Sequence, residues 1–266
     1  MPIAPGNGYL QCEDTRIEYQ LITPPDHGDS ASNELILLLH EGLGSVSMWR
    51  DFPQALAGST GCSIFSYSRA GYGCSDKCPL PRPVSYMHVE AEKYLSAIIP
   101  DLSADRIFLL GHSDGASIST IYAGSNPDPR LTGVVLIAPH FFCEAISIES
   151  ITAAGDQYRH GDLRDKLKRH HGANVDCAFE GWYQVWLNPA FLQWNITEYI
   201  SQIKVPILLI QGTEDQYGTK DQFTAVTDKA TVLVRECLLE HCGHSPQRDQ
   251  PESTLAQIKQ FVLENR

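Results

Sequence analysis

The sequence predicts an α/β fold: a mostly parallel eight-stranded sheet flanked by helices, with a helical lid inserted after the sixth strand. Three observations predict it. Apolar runs of strand length alternate with segments of helical period along most of the chain. Those runs are rich in Val, Ile and Leu without strict alternation, as strands covered on both faces require. The alternation breaks once, over the 62 residues from Phe141 to Gln202, which hold no strand-like run and are too long for an ordinary loop.

"GYLQCEDTRIEYQLI" reads as an antiparallel hairpin turning at Glu13 to Thr15, and "TPPDHGDSAS" (Thr23 to Ser32) as a polar turn. Core strands follow in "ELILLLH" (34–40), "GCSIFSYS" (61–68), "DRIFLLGH" (105–112), "LTGVVLIAP" (131–139), "VPILLIQG" (205–212) and "TVLVRECL" (231–238). Val84, Met87, Ala91, Tyr94, Leu95, Ile98 and Ile99 recur at helical spacing and form one apolar stripe. Leu255, Ile258, Phe261 and Val262 do the same after a Pro251-Glu252 start. The core is therefore residues 1–140 with 203–266, and the lid is 141–202.

The lid carries Trp182, Trp186 and Trp194 with Phe179, Tyr183 and Phe191. Phe179, Trp182, Tyr183 and Trp186 share one helical face, which is buried either as the lid's own core or as the wall of a substrate pocket. "RHGDLRDKLKRHH" (159–171) sets five Lys/Arg against two Asp. Such a run is a solvated helix face or a rim that steers an anionic substrate.

A formal net charge of −12 repels phosphate backbones and anionic lipid, which excludes extensive nucleic-acid or membrane-surface binding. The expected partner is a small molecule, with a homodimer as an unsupported addition. No run approaches the roughly 20 apolar residues of a membrane span, and "MPIAPGNGYL" lacks the basic start and apolar stretch of a signal peptide. A cytoplasmic address is expected. Eight scattered cysteines without a CxxC are expected to be reduced thiols, and their spacing suits no metal.

"GHSDG" (111–115) follows a strand and precedes the helix-compatible "ASISTIYAG". This is G-x-S-x-G in the context that gives the pattern meaning, a sharp strand-to-helix turn flanked by residues tiny enough to let it close. Centred on Ser113 both flanks are glycine; centred on Asp114 they are His112 and Ala116, and an imidazole does not fit. Ser113 is the expected nucleophile.

A serine hydroxyl needs a base, itself held by an acid. "LEHCGHSPQRD" offers His241 and His244 after the last strand, and His244 is preferred because Gly243 lets the loop carry it over the serine. His241 is expected to finish the strand. "LLIQGTEDQYG" offers Glu214 and Asp215 after the penultimate strand, with the short Asp215 better suited to a rigid bond to imidazole. His112 is read as the replaceable residue of the elbow, and His140 as lining the pocket or making a structural hydrogen bond.

The chain from about Gly8 onward resembles the α/β-hydrolase fold family, in its lidded serine-hydrolase form. The resemblance rests on "HEGLGSVSMW", "SRAGYGCSD", "GHSDG", "GTEDQYG" and "CGHSP", and on the order Ser113, Asp215, His244. It implies an oxyanion hole built from the backbone N–H groups of Gly42 and Asp114, each donor worth about 3 to 4 kcal/mol of barrier. The reading requires no cofactor.

Two residues depart from the family pattern. Glu41 stands where glycine is common, turned outward onto neighbouring backbone or facing the pocket. Asp114 stands where an apolar residue is common, capping the next helix or contacting the lid. The expected activity is hydrolysis of a carboxylic ester or lactone of a small, partly apolar molecule through an acyl-enzyme, with Glu41, His140, Trp182 and Trp186 as candidate substrate contacts. Carbon–carbon hydrolysis of ring-cleavage products is the nearest alternative, and a non-enzymatic ligand receptor is the reading from another class. Epoxide hydrolases and haloalkane dehalogenases resemble this fold but carry aspartate where Ser113 stands.

Overall fold

The computed structural model describes residues 3–24 and 33–266; most of the polar turn expected before the first core strand lies outside the described residues. Eight strands form one sheet: β1 (Gly6–Cys12), β2 (Thr15–Ile22), β3 (Glu34–Leu39), β4 (Ser63–Tyr67), β5 (Arg106–His112), β6 (Leu131–Ile137), β7 (Ile207–Gly212) and β8 (Val234–Leu239). Their order across the sheet is β1-β2-β4-β3-β5-β6-β7-β8. The hairpin β1–β2 and the β2–β4 pair are antiparallel, and every pair from β4 to β8 is parallel.

Both faces of the central strands are covered, which is why their sequences do not alternate. Leu35, Leu37, Leu39, Leu109, Val134, Leu136 and Leu209 pack into one core, and Ile36, Leu38, Phe108, Leu110, Val135, Ile137, Leu208 and Ile210 into the other. Each such side chain contributes about 1.5–3 kcal/mol on full burial. The second core is closed by helices α1 (Phe52–Thr60) and α11 (Pro251–Glu264), whose Leu56, Ile258, Phe261 and Val262 belong to it.

On the first face, α2 (Tyr86–Val89), a π-helical stretch at Glu90–Leu95 and α3 (Ser96–Ile98) make one helical run beside α4 (Asp114–Gly124). Met87, Ala91, Leu95, Ile98 and Ile99 are buried there as the periodicity requires. Tyr94 is half-buried, and Val84 precedes the helix and is exposed.

Between β6 and β7 lie α5 (Ala145–His160), α6 (Leu163–His171), α7 (Val175–Trp186) and α8 (Thr197–Ile200), with a single bridge, Phe142 to Asn195, as the only strand-like pairing described there. Helix α9 (Lys220–Lys229) joins β7 to β8, and the short α10 (Pro246–Asp249) precedes α11. No helix among the described residues is long and apolar enough to cross a membrane. All functional candidates sit beyond the carboxyl ends of β3, β5, β6, β7 and β8, the edge where parallel α/β sheets place ligands.

Candidate active site

Ser113 occupies the turn between β5 and α4 at φ 54° and ψ −118°, a conformation that costs a non-glycine residue energy and persists only where its surroundings enforce it. The flanking glycines show what enforces it. A Cβ on Gly111 would lie 2.2 Å from the Gly115 carbonyl oxygen, and one on Gly115 would lie 2.0 Å from the Leu39 carbonyl oxygen. The elbow closes only because both positions lack side chains, which packs the start of α4 onto the end of β3.

Asp215 and His244 meet beside it. The His244 Nδ1 is 2.8 and 2.9 Å from the two Asp215 carboxylate oxygens. Because a carboxylate only accepts, Nδ1 carries the hydrogen and Nε2 is left as the basic nitrogen. Backbone N–H groups of Tyr217 and Gly218 also donate to Asp215 Oδ1, at 2.8 and 3.2 Å. Burial opposes the charge on Asp215, but His244 and these donors outweigh it and hold the carboxyl below its ordinary range. The other acid and the other histidine of the two loops pair with each other instead: Glu214 Oε1 is 3.0 Å from His241 Nδ1, both exposed. His241 does not finish β8; the strand ends at Leu239, and His241 takes φ 53° in the following turn.

Ser113 and His244 open into one cavity of about 160 Å³, lined also by Glu41, Gly42, Leu43, Trp182, Tyr217 and Ser245. The His244 ring is held among His112, His140 and Tyr217, with centroids at 5.2, 5.5 and 4.8 Å. Gly42 meets the insert here, since a Cβ on it would lie 2.2 Å from Trp182 Nε1. The 40–44 loop is pinned from below. His40 Nδ1 donates to the Glu41 carbonyl at 2.7 Å, and its Nε2 accepts from the Arg69 N–H at 3.2 Å. Burial lowers the pKa of His40 far enough to keep it neutral for that double role.

Glu41 neither turns away onto backbone nor stands free in the cavity. One oxygen is 3.5 Å from Arg248 Nη2 and the other 3.6 Å from His112 Nδ1. Burial favours its neutral form, but the positive charge of Arg248 opposes this, and the carboxyl is held below its ordinary range. Asp114 does not cap α4 with its side chain: one carboxylate oxygen is bonded to Tyr86 and the other has no hydrogen-bond partner. Its carboxylate is fully buried, accepts from Tyr86 Oη at 2.6 Å and lies 3.6 Å from Arg69 Nη2. Burial pushes its pKa up, against the pull of Arg69 and Tyr86. Tyr86 in turn accepts from Trp186 Nε1 of the insert at 3.1 Å, so Asp114 reaches the insert through Tyr86.

The aromatic face of α7 divides between both expected uses. Phe179 stacks on Tyr158 at 3.6 Å and on Tyr183 at 5.4 Å within the insert, whereas Trp182 lines the cavity. Trp186 packs edge-on against His140 at 5.2 Å. His140 is buried with Nδ1 unpartnered, and burial drives its pKa down to about 3, so it stands beside His244 as a neutral ring. In the basic run, Arg159, Arg164 and Lys166 pair with Asp156, Asp176 and Asp162. Its last residue, His171, accepts from the Gly73 N–H and bonds the Leu43 carbonyl, tying the insert to two core loops.

Sequence reasoning missed His112, Tyr86, Gln247 and Arg248. Only His112 carried a local signal, its place next to Ser113; the rest enter through tertiary contacts that no spacing reveals. The eight cysteines are unbridged, and the one close pair is Cys78 with Cys177, Sγ to Sγ 3.5 Å, rather than either pair adjacent in sequence.

A profile of the "Alpha/beta hydrolase family" matches residues 36–258. The chain belongs to the alpha/beta hydrolase family. It is 32% identical over 132 residues to epoxide hydrolase B of Mycobacterium tuberculosis, an alignment that covers half of this chain and 35% of that one. The chain thus spans about a third of that relative's length. It is 23% identical over 247 residues to the proline iminopeptidase of Lacticaseibacillus rhamnosus, covering 78% and 81% of the two chains. The fold is shared with the enol-lactonase from Burkholderia xenovorans (TM-score 0.73, 19% identity, 96% and 100% covered). It is also shared with a serine hydrolase involved in carbazole degradation (TM-score 0.74, 14% identity, 99% and 100% covered).

Proposed function

We propose that this family member is a serine hydrolase that cleaves a carboxylic ester or lactone of a small, partly apolar molecule. The observation that carries the reading is the strained Ser113 sharing one cavity with a histidine whose Nδ1 is bonded to a buried aspartate. His244 Nε2 takes the proton of Ser113 Oγ as the oxygen adds to the substrate carbonyl carbon. The carbonyl oxygen becomes anionic and is received by the N–H groups of Gly42 and Asp114, the second at the N-terminus of α4, where the helix dipole favours negative charge. His244 then gives its proton to the departing alcohol oxygen. A water repeats the sequence on the acyl-enzyme, and Asp215 orients the imidazole throughout.

The helical insert is the lid of this reading, since Trp182 stands over Gly42. A cavity of about 160 Å³ suits a short acyl or ring-closed substrate. An epoxide-opening chemistry by carboxylate attack is disfavoured: Ser113 occupies the elbow, and the carboxylate of Asp114 is engaged by Tyr86 and Arg69.

The test is incubation with a fluorophosphonate probe, followed by a panel of short-chain esters, lactones, thioesters and ring-cleavage diketones. Ser113 should be labelled and Ser113→Ala should be inert. An unlabelled Ser113 in folded protein would instead favour a ligand receptor, and hydrolysis by Ser113→Ala at the wild-type rate would rule out the acyl-enzyme.

A further inference from the structure

His112, one residue before Ser113, is buried and spends both ring nitrogens on the loop that carries His244. Its Nε2 is 2.7 Å from the His244 carbonyl oxygen; a carbonyl only accepts, so Nε2 carries the hydrogen. Its Nδ1 is 3.0 Å from the side-chain nitrogen of Gln247, which donates to it. The same Nδ1 faces Glu41 at 3.6 Å, and Glu41 is joined at 3.5 Å to Arg248, the neighbour of Gln247. Glu41 precedes Gly42. Three loops, from β3, β5 and β8, thus converge on one imidazole.

We infer that His112 is the positioning residue of the site, fixing the His244 loop against the elbow so that Ser113 and His244 stay aligned. The inference rests on the proposed roles of Ser113 and His244. Its physical basis is a shared frame. Ser113 is bonded to His112 through one peptide, and the His244 backbone is bonded to the His112 ring, so the separation of nucleophile and base is set through a single side chain. The remaining ties of that loop are weaker or sit elsewhere on it. The His244 N–H reaches Gln216 Oε1 at 3.4 Å, and the Gly243 N–H reaches Asp249 at 3.0 Å. The Asp215 bonds orient the His244 ring but do not fix its distance from β5.

Labelling of Ser113 by a fluorophosphonate needs an aligned base and oxyanion hole but no knowledge of the natural substrate. The full chain is compared as wild type, His112→Ala, His112→Gln and His112→Asn, measuring the limiting labelling rate, the half-saturating probe concentration and the melting temperature. Gln places an N–H near the position of Nε2, whereas Asn reaches only to that of Nδ1. The alanine variant should lose about tenfold to a hundredfold in limiting rate at unchanged half-saturation. Gln should restore most of the rate and Asn should not.

A His112→Ala protein that melts lower yet labels at the wild-type limiting rate would make His112 merely structural and overturn the inference. Should the alanine variant not fold, the Gln and Asn variants decide, since equal limiting rates for the two would overturn it as well. Failure of the underlying reading looks different: the wild type itself would not be labelled.

Discussion

Replacing Gly115 by alanine adds one methyl group where the start of α4 meets the end of β3. The new carbon would lie 2.0 Å from the Leu39 carbonyl oxygen, 2.5 Å from the Leu39 carbonyl carbon and 2.9 Å from the His40 oxygen. These are backbone atoms of a buried strand and cannot rotate away. Relief to an ordinary carbon–oxygen contact of about 3.4 Å requires the helix to retreat by about 1.4 Å. Overpacking of this kind costs about 1–3 kcal/mol, equivalent to a fall of about 2–12 °C in melting temperature at this chain length. The retreat carries Ser113 and the Asp114 N–H away from Gly42 and His244, and a misplacement near 1 Å costs on the order of a hundredfold in rate. Fluorophosphonate labelling of Ser113 with a thermal melt on the same sample reads both effects. A Gly115→Ala protein that labels within about threefold of wild type would refute the argument that this contact sets the elbow.

Gly58, in α1, has nothing within 4 Å of an added Cβ, so Gly58→Ala should raise stability by about 0.5–1 kcal/mol with labelling unchanged; a lowered melting point would contradict the contact geometry. Asp215→Asn should slow labelling by about 10³- to 10⁴-fold, while Glu214→Gln, which disturbs only the exposed pair with His241, should stay within about twofold. The reverse ranking would transfer the acid's role to Glu214. Asp215 is held below its ordinary carboxylate value of 3.8, so its contribution to stability is complete above that value and is lost as the pH falls through the lower folded one. The melting gap between wild type and Asp215→Asn should be steady from about pH 7 to 5 and narrow below about pH 4; a gap that widens on acidification would reverse the sign of the linkage.

The central strands were legible because β3, β5, β6 and β7 are buried on both faces, and burial of that kind writes a run of Val, Ile and Leu. The π-helical stretch at Glu90–Leu95 was not legible, since its apolar residues satisfy a 3.6-residue period almost as well. The positions of Ser113, Asp215 and His244 could be read because short motifs follow particular strands. The choice of Asp215 over Glu214 rested on side-chain length, and the geometry separates the two further by giving Glu214 a partner of its own. What lies between the motifs could not be read. The bond from Tyr86 to Asp114 spans 28 residues and that from Arg248 to Glu41 spans 207, and nothing in one sequence ties such residues together.

Those long-range bonds explain why two acids can flank the turns assigned to an oxyanion hole. An unpaired carboxylate about 6 Å from a developing oxyanion would raise its energy by about 3 kcal/mol at an effective dielectric constant of about 20. Neither acid is unpaired. Arg69 stands 3.6 Å from Asp114 and donates to the Glu41 carbonyl at 2.9 Å, while Arg248 stands 3.5 Å from Glu41 and donates to the Met48 carbonyl at 3.1 Å. Each guanidinium therefore neutralises an acid and fixes a loop carbonyl in the same stroke. Replacing such a pair by apolar groups of equal volume would cost the fold little, whereas removing one partner leaves a charge with nothing opposite it. The acids at 41 and 114 thus set the geometry of the turns on either side of Gly42 and Ser113. Their charges are spent on arginines, not on the reacting oxygen.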